Sequence, residues 1–312
     1  MPVRLPPVSE HATRVLLEGL VDYAGLFPPA ALAMPGAVRN FAHYRASGAG
    51  WMLGRFVCPS SALELFSERA DPLLPRDAGS IPWRLSVTAG PDAAEDLDRI
   101  AAFNERHRVC FDECGAIVDA YEMRVSTEQE IAAIDAAVPR ELTTYFELAP
   151  GHVDALMPVV AGVGRRAKLR AGGITAEALP PADAVVHFLQ ACLDHHVTAK
   201  ATAGLHHPLR GTFRLTYETG APIGRMYGYL NVFLTAAFLA NGGEHAAAGR
   251  LLEESDPAAF VIEEEHIIWR NARTAGTLDR TLLQRVRHDV LVSFGSCSFT
   301  EPVDEIRAIG WI

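Results

Sequence analysis

The stretch "RAKLRAGGITAEALPPADAVVHFLQACLDHHVTAKATAGL", residues 166–205, decides the fold. It opens with a β-like run at 166–173, continues with the helix-like pattern "PADAVVHFLQACLDHH", and closes with a second β-like run at 197–205. The distance between the two runs is that of one strand–helix unit, and parallel strands need such a crossover between them. The stretch therefore predicts two neighbouring parallel strands joined by a helix.

The same alternation extends back along the chain. Four earlier β-like runs, each followed by a helix-like run, lie at 51–59, 83–90, 116–125 and 142–150. Six consecutive units predict a parallel α/β architecture. Segments 19–27 and 289–299 are candidates for two further strands, which would close a (β/α)8 TIM-type barrel. The alternative is an open doubly wound parallel sheet, because 19–27 is weak as a strand and 289–299 could continue the preceding helix.

We expect a single domain over residues 1–312. Segment 206–277 breaks the rhythm, and we interpret it as an insertion after the seventh strand, either a lid or an oligomer contact. Within it, 226–241 is an uncharged apolar run of 16 residues, which is short for a membrane-spanning helix of about 20 residues. It favours a buried core helix.

The composition excludes several classes of function. Apolar residues make up 49% of the chain, the formal net charge is −10, and no long basic run is present, so we expect no nucleic-acid partner and no membrane partner. The five cysteines are sparse and odd in number, which is typical of a reduced, cytoplasmic protein, and we expect no secretory leader. Cys110 and Cys114 form a lone C-x3-C pair, a weak indication of zinc. A homo-oligomer acting on a small molecule is the expected state.

Polar side chains recur at alternate positions of these apolar strands. In a barrel such positions point inward, and function gathers at the carboxyl ends of the strands. A buried charge without a partner is costly, so such residues pair or take part in function. The groups sharing a strand face are Lys168 with Arg170, Lys200 with Thr202, Tyr145 with Glu147, Glu122 with Arg124, and Arg84 with Ser86 and Thr88, while Arg55 lies near the end of its strand.

Two lysines on adjacent strands have a specific chemical use. An amine must lose its proton before it attacks a carbonyl carbon to form a Schiff base, and a neighbouring cation together with partial burial favours that loss. We expect Lys168 or Lys200 to be the nucleophile. Glu147 or Glu122 would then act as general acid and base.

The remaining candidates would bind an anionic carbonyl substrate. Arginines hold carboxylate or phosphate groups bidentately, and exposed N–H groups at the start of a helix attract anions. The candidate residues are Arg170, Arg55, Arg84, Asp22, Tyr23, Thr202, Gly172, Gly173, Ser296 and Ser298.

"KLRAGGITAEA" (168–178) and "KATAGL" (200–205) resemble the strand ends of class I aldolases, in particular those of the deoxyribose-phosphate aldolase type. The resemblance covers roughly 40 residues. It implies a (β/α)8 barrel with Lys168 as the Schiff-base nucleophile, Lys200 as its neighbour, and no cofactor. The chain as a whole also looks similar to an uncharacterised bacterial group with "DYAGLFPPA", "KATAGLHHP" and "GSCSF" segments, which implies no activity.

Two other hypotheses remain open. His206 and His207, with Glu147 and Glu122, could bind zinc, manganese or magnesium in a metal-dependent lyase or isomerase on the same barrel. Alternatively, the protein binds a metabolite without catalysis and uses the 226–241 helix as its interface. Cys297 is a further nucleophile candidate, for which the sequence shows no dedicated base.

Overall fold

Eight parallel strands close into a barrel in the computed structural model, which describes residues 11–77, 79–108 and 115–312. The barrel order is β1-β2-β3-β4-β5-β6-β7-β13, and β13 pairs back onto β1. In chain order the strands are β1 Val21–Tyr23, β2 Leu53–Pro59, β3 Trp83–Thr88, β4 Ala116–Val125, β5 Thr143–Leu148, β6 Arg166–Arg170, β7 Ala199–Thr202, β8 Gly211–Arg214, β9 Ile223–Met226, β10 Phe260–Ile262, β11 His266–Arg270, β12 Ala275–Asp279 and β13 Leu291–Ser296. The predicted (β/α)8 barrel is confirmed, and the open-sheet alternative is wrong because β1 is paired on both sides.

The helices surround the barrel. In chain order they are α1 Ala12–Leu17, α2 Met34–Ala46, α3 Leu63–Ala70, α4 Ala93–His107, α5 Glu128–Ala137, α6 Val153–Gly162, α7 Ala182–Asp194, α8 Tyr229–Ala240, α9 His245–Leu252, α10 Arg280–Asp289 and α11 Thr300–Ala308. The β-run before α5 ends at a capping box, in which the Thr127 hydroxyl accepts from the Glu130 amide at 3.2 Å. The Glu130 carboxylate accepts from the Thr127 amide in return, which fixes where the helix begins.

The two weakest strand candidates both complete the barrel. Helix α10 ends at Asp289, and the segment after it extends as β13 beside β7 and β1. Its residues alternate: Ser293 and Gly295 face the interior, while Phe294 stacks on Tyr229 of α8. Because burial on both sides stabilises it, this segment is a strand and does not continue the helix.

The alternation of side chains along β1 places neighbouring residues in two different layers: the barrel interior, and the core between the strands and the helices. Tyr23 follows Asp22 in β1, so its ring lies on the opposite face, packed with Phe41, Tyr44 and Phe56 under α2. The structure thus places Tyr23 between the strands and the helices, not at the barrel mouth where we expected it. Neighbouring residues of a strand cannot both face the interior.

Segment 206–277 forms parts of three regions: the pocket wall, the helical core and a separate small sheet. The antiparallel hairpin β8–β9 brings Leu215 and Met226 to the pocket described below. Helix α8 packs with α7, α10 and β13, and eleven of its residues are buried, so the predicted core helix is confirmed. That burial within the chain corrects the expectation that 226–241 serves as an interface. Strands β10–β12 form a separate three-stranded sheet.

Within the described residues, none of the helices combines the length and apolarity needed to cross a membrane. Cys110 and Cys114, the weak zinc pair of the sequence, lie outside the described residues.

Candidate active site

Lys200 lies at the centre of the barrel, held between two carboxylates. Its ammonium nitrogen is 2.5 Å from Asp22 Oδ2 and 2.7 Å from Glu122 Oε1, and the side chain is 1% exposed. Burial alone would lower the pKa of Lys200, but the charges of Asp22 and Glu122 outweigh it and raise the pKa. Lys200 is therefore a fixed positive charge at neutral pH.

Glu122 links this buried cation to the second lysine. Its Oε1 accepts from Lys200 and from the Ser86 hydroxyl, and its Oε2 lies 3.0 Å from Lys168 Nζ. Burial would raise the pKa of the Glu122 carboxyl, yet the two ammonium groups hold it well below its usual range. The carboxylate stays ionised and carries one lysine on each oxygen.

Lys168 occupies the outer level of the same cluster. Its Nζ is 3.0 Å from Glu147 Oε2 as well as from Glu122, and its side chain keeps 10% of its surface exposed. Glu147 also accepts from Arg124 at 3.0 Å and lies 3.6 Å from Arg170. Burial would raise the pKa of Glu147, but Lys168 and the arginines lower it.

Lysine is a rare residue in this chain, and both lysines lie in this cluster. Lys168 and Lys200 are the only lysines in the sequence, and the other 26 residues in the Lys-plus-Arg total are arginines. Arginine supplies charge and hydrogen bonds equally well, but it does not lose its proton and so cannot act as a nucleophilic amine. Lysine therefore occurs in this chain at two positions only, and both ammonium groups contact the carboxylate of Glu122.

Asp22 is held in place from three sides. Besides Lys200, it accepts from the Ser293 hydroxyl at 2.8 Å and from the Arg55 backbone N–H at 2.8 Å. Gly54 makes this approach possible, because a Cβ at that position would lie 2.4 Å from Asp22 Oδ1. The glycine in β2 thus makes room for the carboxylate of β1.

Arg55 and Arg84 lie away from this cluster. Arg84 is the second residue of β3 and pairs in register with the second residue of β4, so it belongs to the amino-terminal end of the barrel. Its Nε donates to Asp119 Oδ2 at 2.6 Å, and Arg55 Nε donates to Oδ1 at 2.6 Å. The structure therefore does not bring these two arginines to the substrate end, where we expected them.

A pocket of about 360 Å³ opens over the lysines at the carboxyl-terminal end of the barrel. Its polar wall consists of Thr88, Glu122, Lys168, Arg170, Lys200, Thr202, His206 and Cys297, and its apolar wall includes Phe27, Pro28, Pro29, Val57, Ile174, Leu215 and Met226. A second pocket, of about 410 Å³, shares Thr88, Glu122 and Lys168 with the first and extends to Arg124. Lys168 and Glu122 thus lie at the boundary between two spaces.

The loops after β6, β7 and β13 surround the pocket. Gly173 and Thr202 line it, whereas Gly172 packs against Gly204, where a Cβ would lie 2.9 Å from the Gly172 Cα. Gly204 also has a φ of +72°, so this close crossing of two loops requires glycine. The Ser298 hydroxyl accepts from the amide of Glu301, in the first turn of α11, at 3.2 Å.

The two histidines pair with glutamates of α11. His207 Nδ1 is 2.8 Å from Glu305 Oε1, and its ring stacks on Phe213 of the β8–β9 hairpin. His206 Nδ1 is 3.2 Å from Glu301 Oε2. In the parts of the chain that the structure describes, no group of three or more His, Cys, Asp and Glu side chains is placed to hold a metal ion, so the expected four-residue ligand set is not assembled.

His206 also approaches a thiol, a neighbour that the sequence did not indicate. Its Nδ1 is 3.4 Å from Ser296 Oγ and 3.9 Å from Cys297 Sγ. The Tyr217 hydroxyl lies 3.6 Å from that sulfur and donates to Glu301 at 2.7 Å. Burial would lower the pKa of His206, but its contacts with Cys297 and Glu301 raise it to about 9.

Several contributors escaped the sequence analysis. Ser86 and Arg124 were visible as strand-face partners but were not chosen as site residues. Ser293 lies on the same face of β13 as Gly295, so the alternation along this strand could have predicted that Ser293 faces the barrel interior. Tyr217 lies in the turn of the β8–β9 hairpin, where no periodicity points to its neighbours.

No family model matches the chain, and no curated protein matches it. Among solved structures, one similar chain is the inactive dihydroorotase-like domain of the Chaetomium thermophilum CAD-like multifunctional protein. The identity is 13%, the TM-score is 0.37, and the match covers 60% of this chain and 52% of that one, about half its length. At this level the likeness carries no argument about function.

Proposed function

We propose that the protein is a lyase that makes or breaks a carbon–carbon bond next to a carbonyl group, through a Schiff base on Lys168. The barrel and its charged pocket fit a small-molecule enzyme in general. The observation that carries the finer proposal is that the only two lysines of the chain meet at Glu122 in this pocket.

Burial and contacts assign different roles to the two lysines. Lys200 has almost no exposed surface and is clamped by Asp22 and Glu122 at 2.5 and 2.7 Å. Lys168 has longer contacts, at 3.0 Å, and lines both pockets. Lys168 is the amine that a substrate can reach, and Lys200 is the permanent cation that keeps Glu122 ionised.

The covalent steps follow from the general chemistry of an amine and a carbonyl. Lys168 Nζ attacks the carbonyl carbon, the resulting carbinolamine loses water, and a protonated imine remains. The bond between the α and β carbons then breaks: its electron pair moves toward the imine to give an enamine, while a hydroxyl on the β carbon loses its proton and becomes the carbonyl of the released fragment. Protonation of the enamine and hydrolysis of the imine free Lys168, and the reverse sequence joins two fragments. Glu122 is in contact with Lys168 and on the pocket wall, so it is the carboxylate placed to pass protons.

Glu147 has a positioning role in this scheme. It contacts Lys168, Arg124 and Arg170, and its contact with Lys168 Nζ orients that amine. Arg170 lines the pocket with its side chain 45% exposed, and it is the arginine placed to hold an anionic group of the substrate.

Reductive trapping tests the proposal. The protein would be incubated with pyruvate or propanal and sodium borohydride, and the added mass located by peptide mapping. Because the chain has two lysines, an imine on a side chain can form only at Lys168 or Lys200. We expect the label on Lys168 and its loss in Lys168→Arg, which keeps the charge but cannot form the imine. Labelling confined to Lys200, or no labelling with any small carbonyl compound, would overturn the proposal.

A further inference from the structure

Four side chains on another part of the pocket wall form a cluster that the Schiff-base chemistry does not use. Cys297 and His206 line the pocket and are 5% and 7% exposed. Tyr217 and Glu301 complete the cluster, with the tyrosine hydroxyl bridging the sulfur and the carboxylate. Cys297 therefore has a cationic imidazole, a hydroxyl and an open space within reach.

The contacts that His206 makes in this cluster are through Nδ1. Nδ1 lies 3.9 Å from Cys297 Sγ and 3.2 Å from Glu301 Oε2. With its pKa raised to about 9, His206 is an imidazolium at pH 7; it is paired with the Glu301 carboxylate, and its charge stabilises a thiolate at Cys297. The other titratable groups facing this region are His207 with Glu305, and Glu122, Lys168, Arg170 and Lys200 on the pocket wall.

We propose that Cys297 is a second nucleophile of this pocket and adds reversibly to a small aldehyde. The thiol loses its proton to water, the His206 imidazolium stabilises the resulting thiolate, and the sulfur attacks the carbonyl carbon. As the carbon–sulfur bond forms, the carbon–oxygen π pair moves to the oxygen, which takes the proton back from water. The product is a hemithioacetal, nothing is oxidised or reduced, and no leaving group is needed.

We expect the other described cysteines to be unreactive. Cys58 and Cys192 are buried, and burial raises the pKa of both thiols, so they stay protonated and inert. They serve as internal references in the same protein.

Alkylation kinetics test the activation of the thiol. The full chain would be treated with iodoacetamide at pH 7, and the modification of each cysteine followed by peptide mass spectrometry. We expect Cys297 to react at least about 10-fold faster than Cys58 and Cys192. His206→Gln should slow this reaction about 10-fold at pH 7, with the deficit shrinking by pH 9.5, where a thiol ionises without help. Glu301→Gln should slow it several-fold, and His187→Gln on α7, where the histidine pairs with Asp154, is the matched control that leaves it unchanged.

Protection tests the aldehyde itself and separates this proposal from the Schiff base. Propanal should slow the alkylation of Cys297, and dialysis should restore it. The same protection should persist in Lys168→Arg, where no imine forms at that position. A Cys297 that is no more reactive than Cys58, a His206→Gln rate equal to wild type in folded protein, or protection that disappears in Lys168→Arg would each overturn the inference.

Discussion

Lys168 and Lys200 are register partners on adjacent strands, and their ammonium groups bind the two oxygens of a single carboxylate, that of Glu122. Both side chains line the pocket, but that of Lys200 is 1% exposed and that of Lys168 is 10% exposed. The two lysines therefore differ in accessibility, and the predictions below depend on that difference.

Removing the deeper lysine should destabilise the fold. In Lys200→Met, Asp22 loses its ion pair with Lys200 and Glu122 keeps its ion pair with Lys168, and breaking a buried ion pair in this way costs about 3–5 kcal/mol. Urea denaturation monitored by circular dichroism measures the loss. Lys168→Met is the matched control and should cost clearly less, because its side chain reaches the pocket. Equal losses in both variants would contradict the central role of Lys200.

A glycine in β2 should be intolerant of a single methyl group. A Cβ at Gly54 would lie 2.4 Å from Asp22 Oδ1 and 3.0 Å from the Gly19 carbonyl oxygen, so Gly54→Ala should lower the free energy of unfolding by about 1–3 kcal/mol. Gly36→Ala in α2 is the comparison, since nothing lies within 4 Å of its added Cβ and alanine favours helix. The two variants should shift the urea midpoint in opposite directions.

Arg170 should discriminate between charged and neutral carbonyl compounds. A charged hydrogen bond contributes about 1.5–3 kcal/mol, so Arg170→Met should reduce the trapping of pyruvate at Lys168 about 10-fold or more. Methyl pyruvate, which lacks the carboxylate, should be trapped as before. Arg84→Met at the other end of the barrel is the control and should leave both unchanged. A similar loss with the ester would show that Arg170 acts only through Glu147.

The protonation of His206 should make stability depend on pH in a defined direction. Its pKa is about 9 in the folded protein, above the value of about 6.5 expected for an unfolded chain. Its contribution is therefore complete below pH 6.5 and is lost as the pH rises through 9. The melting temperature of wild type should exceed that of His206→Gln by more at pH 6 than at pH 9.5. A constant difference would mean that the histidine does not titrate in this range.

Sequence periodicity predicted the barrel and singled out Glu122, Glu147, Lys168 and Lys200 as candidates, and the structure is what brings the four together. Alternation along a strand specifies which face a side chain occupies, and adjacent strands bring matching faces together. The alternation does not specify how far along the barrel axis a side chain lies, because that position depends on the register between neighbouring strands. For this reason Arg84, which was grouped by face with Ser86 and Thr88, lies at the amino-terminal end with Asp119. Arg55, expected near the end of its strand, is the third residue of β2 and contacts the same aspartate.

The cluster around Cys297 was beyond sequence reasoning for a different reason. His206 and Cys297 are 91 positions apart and both follow the ends of strands, where no repeating pattern relates one loop to another. The hydroxyl of Tyr217 comes from a hairpin whose placement depends on tertiary packing. Only the closed barrel, with β7 beside β13, brings these side chains into contact.

The pairing of β1 with β13 has a consequence for how the chain folds. Asp22 contacts Lys200 at a separation of 178 residues and Ser293 at a separation of 271. Closing such long loops is slow, and contacts of this kind form late. Asp22 is held by residues of β2, β7 and β13, so its full set of contacts exists only when these strands are docked together. The site therefore acquires its geometry only when the whole barrel is complete.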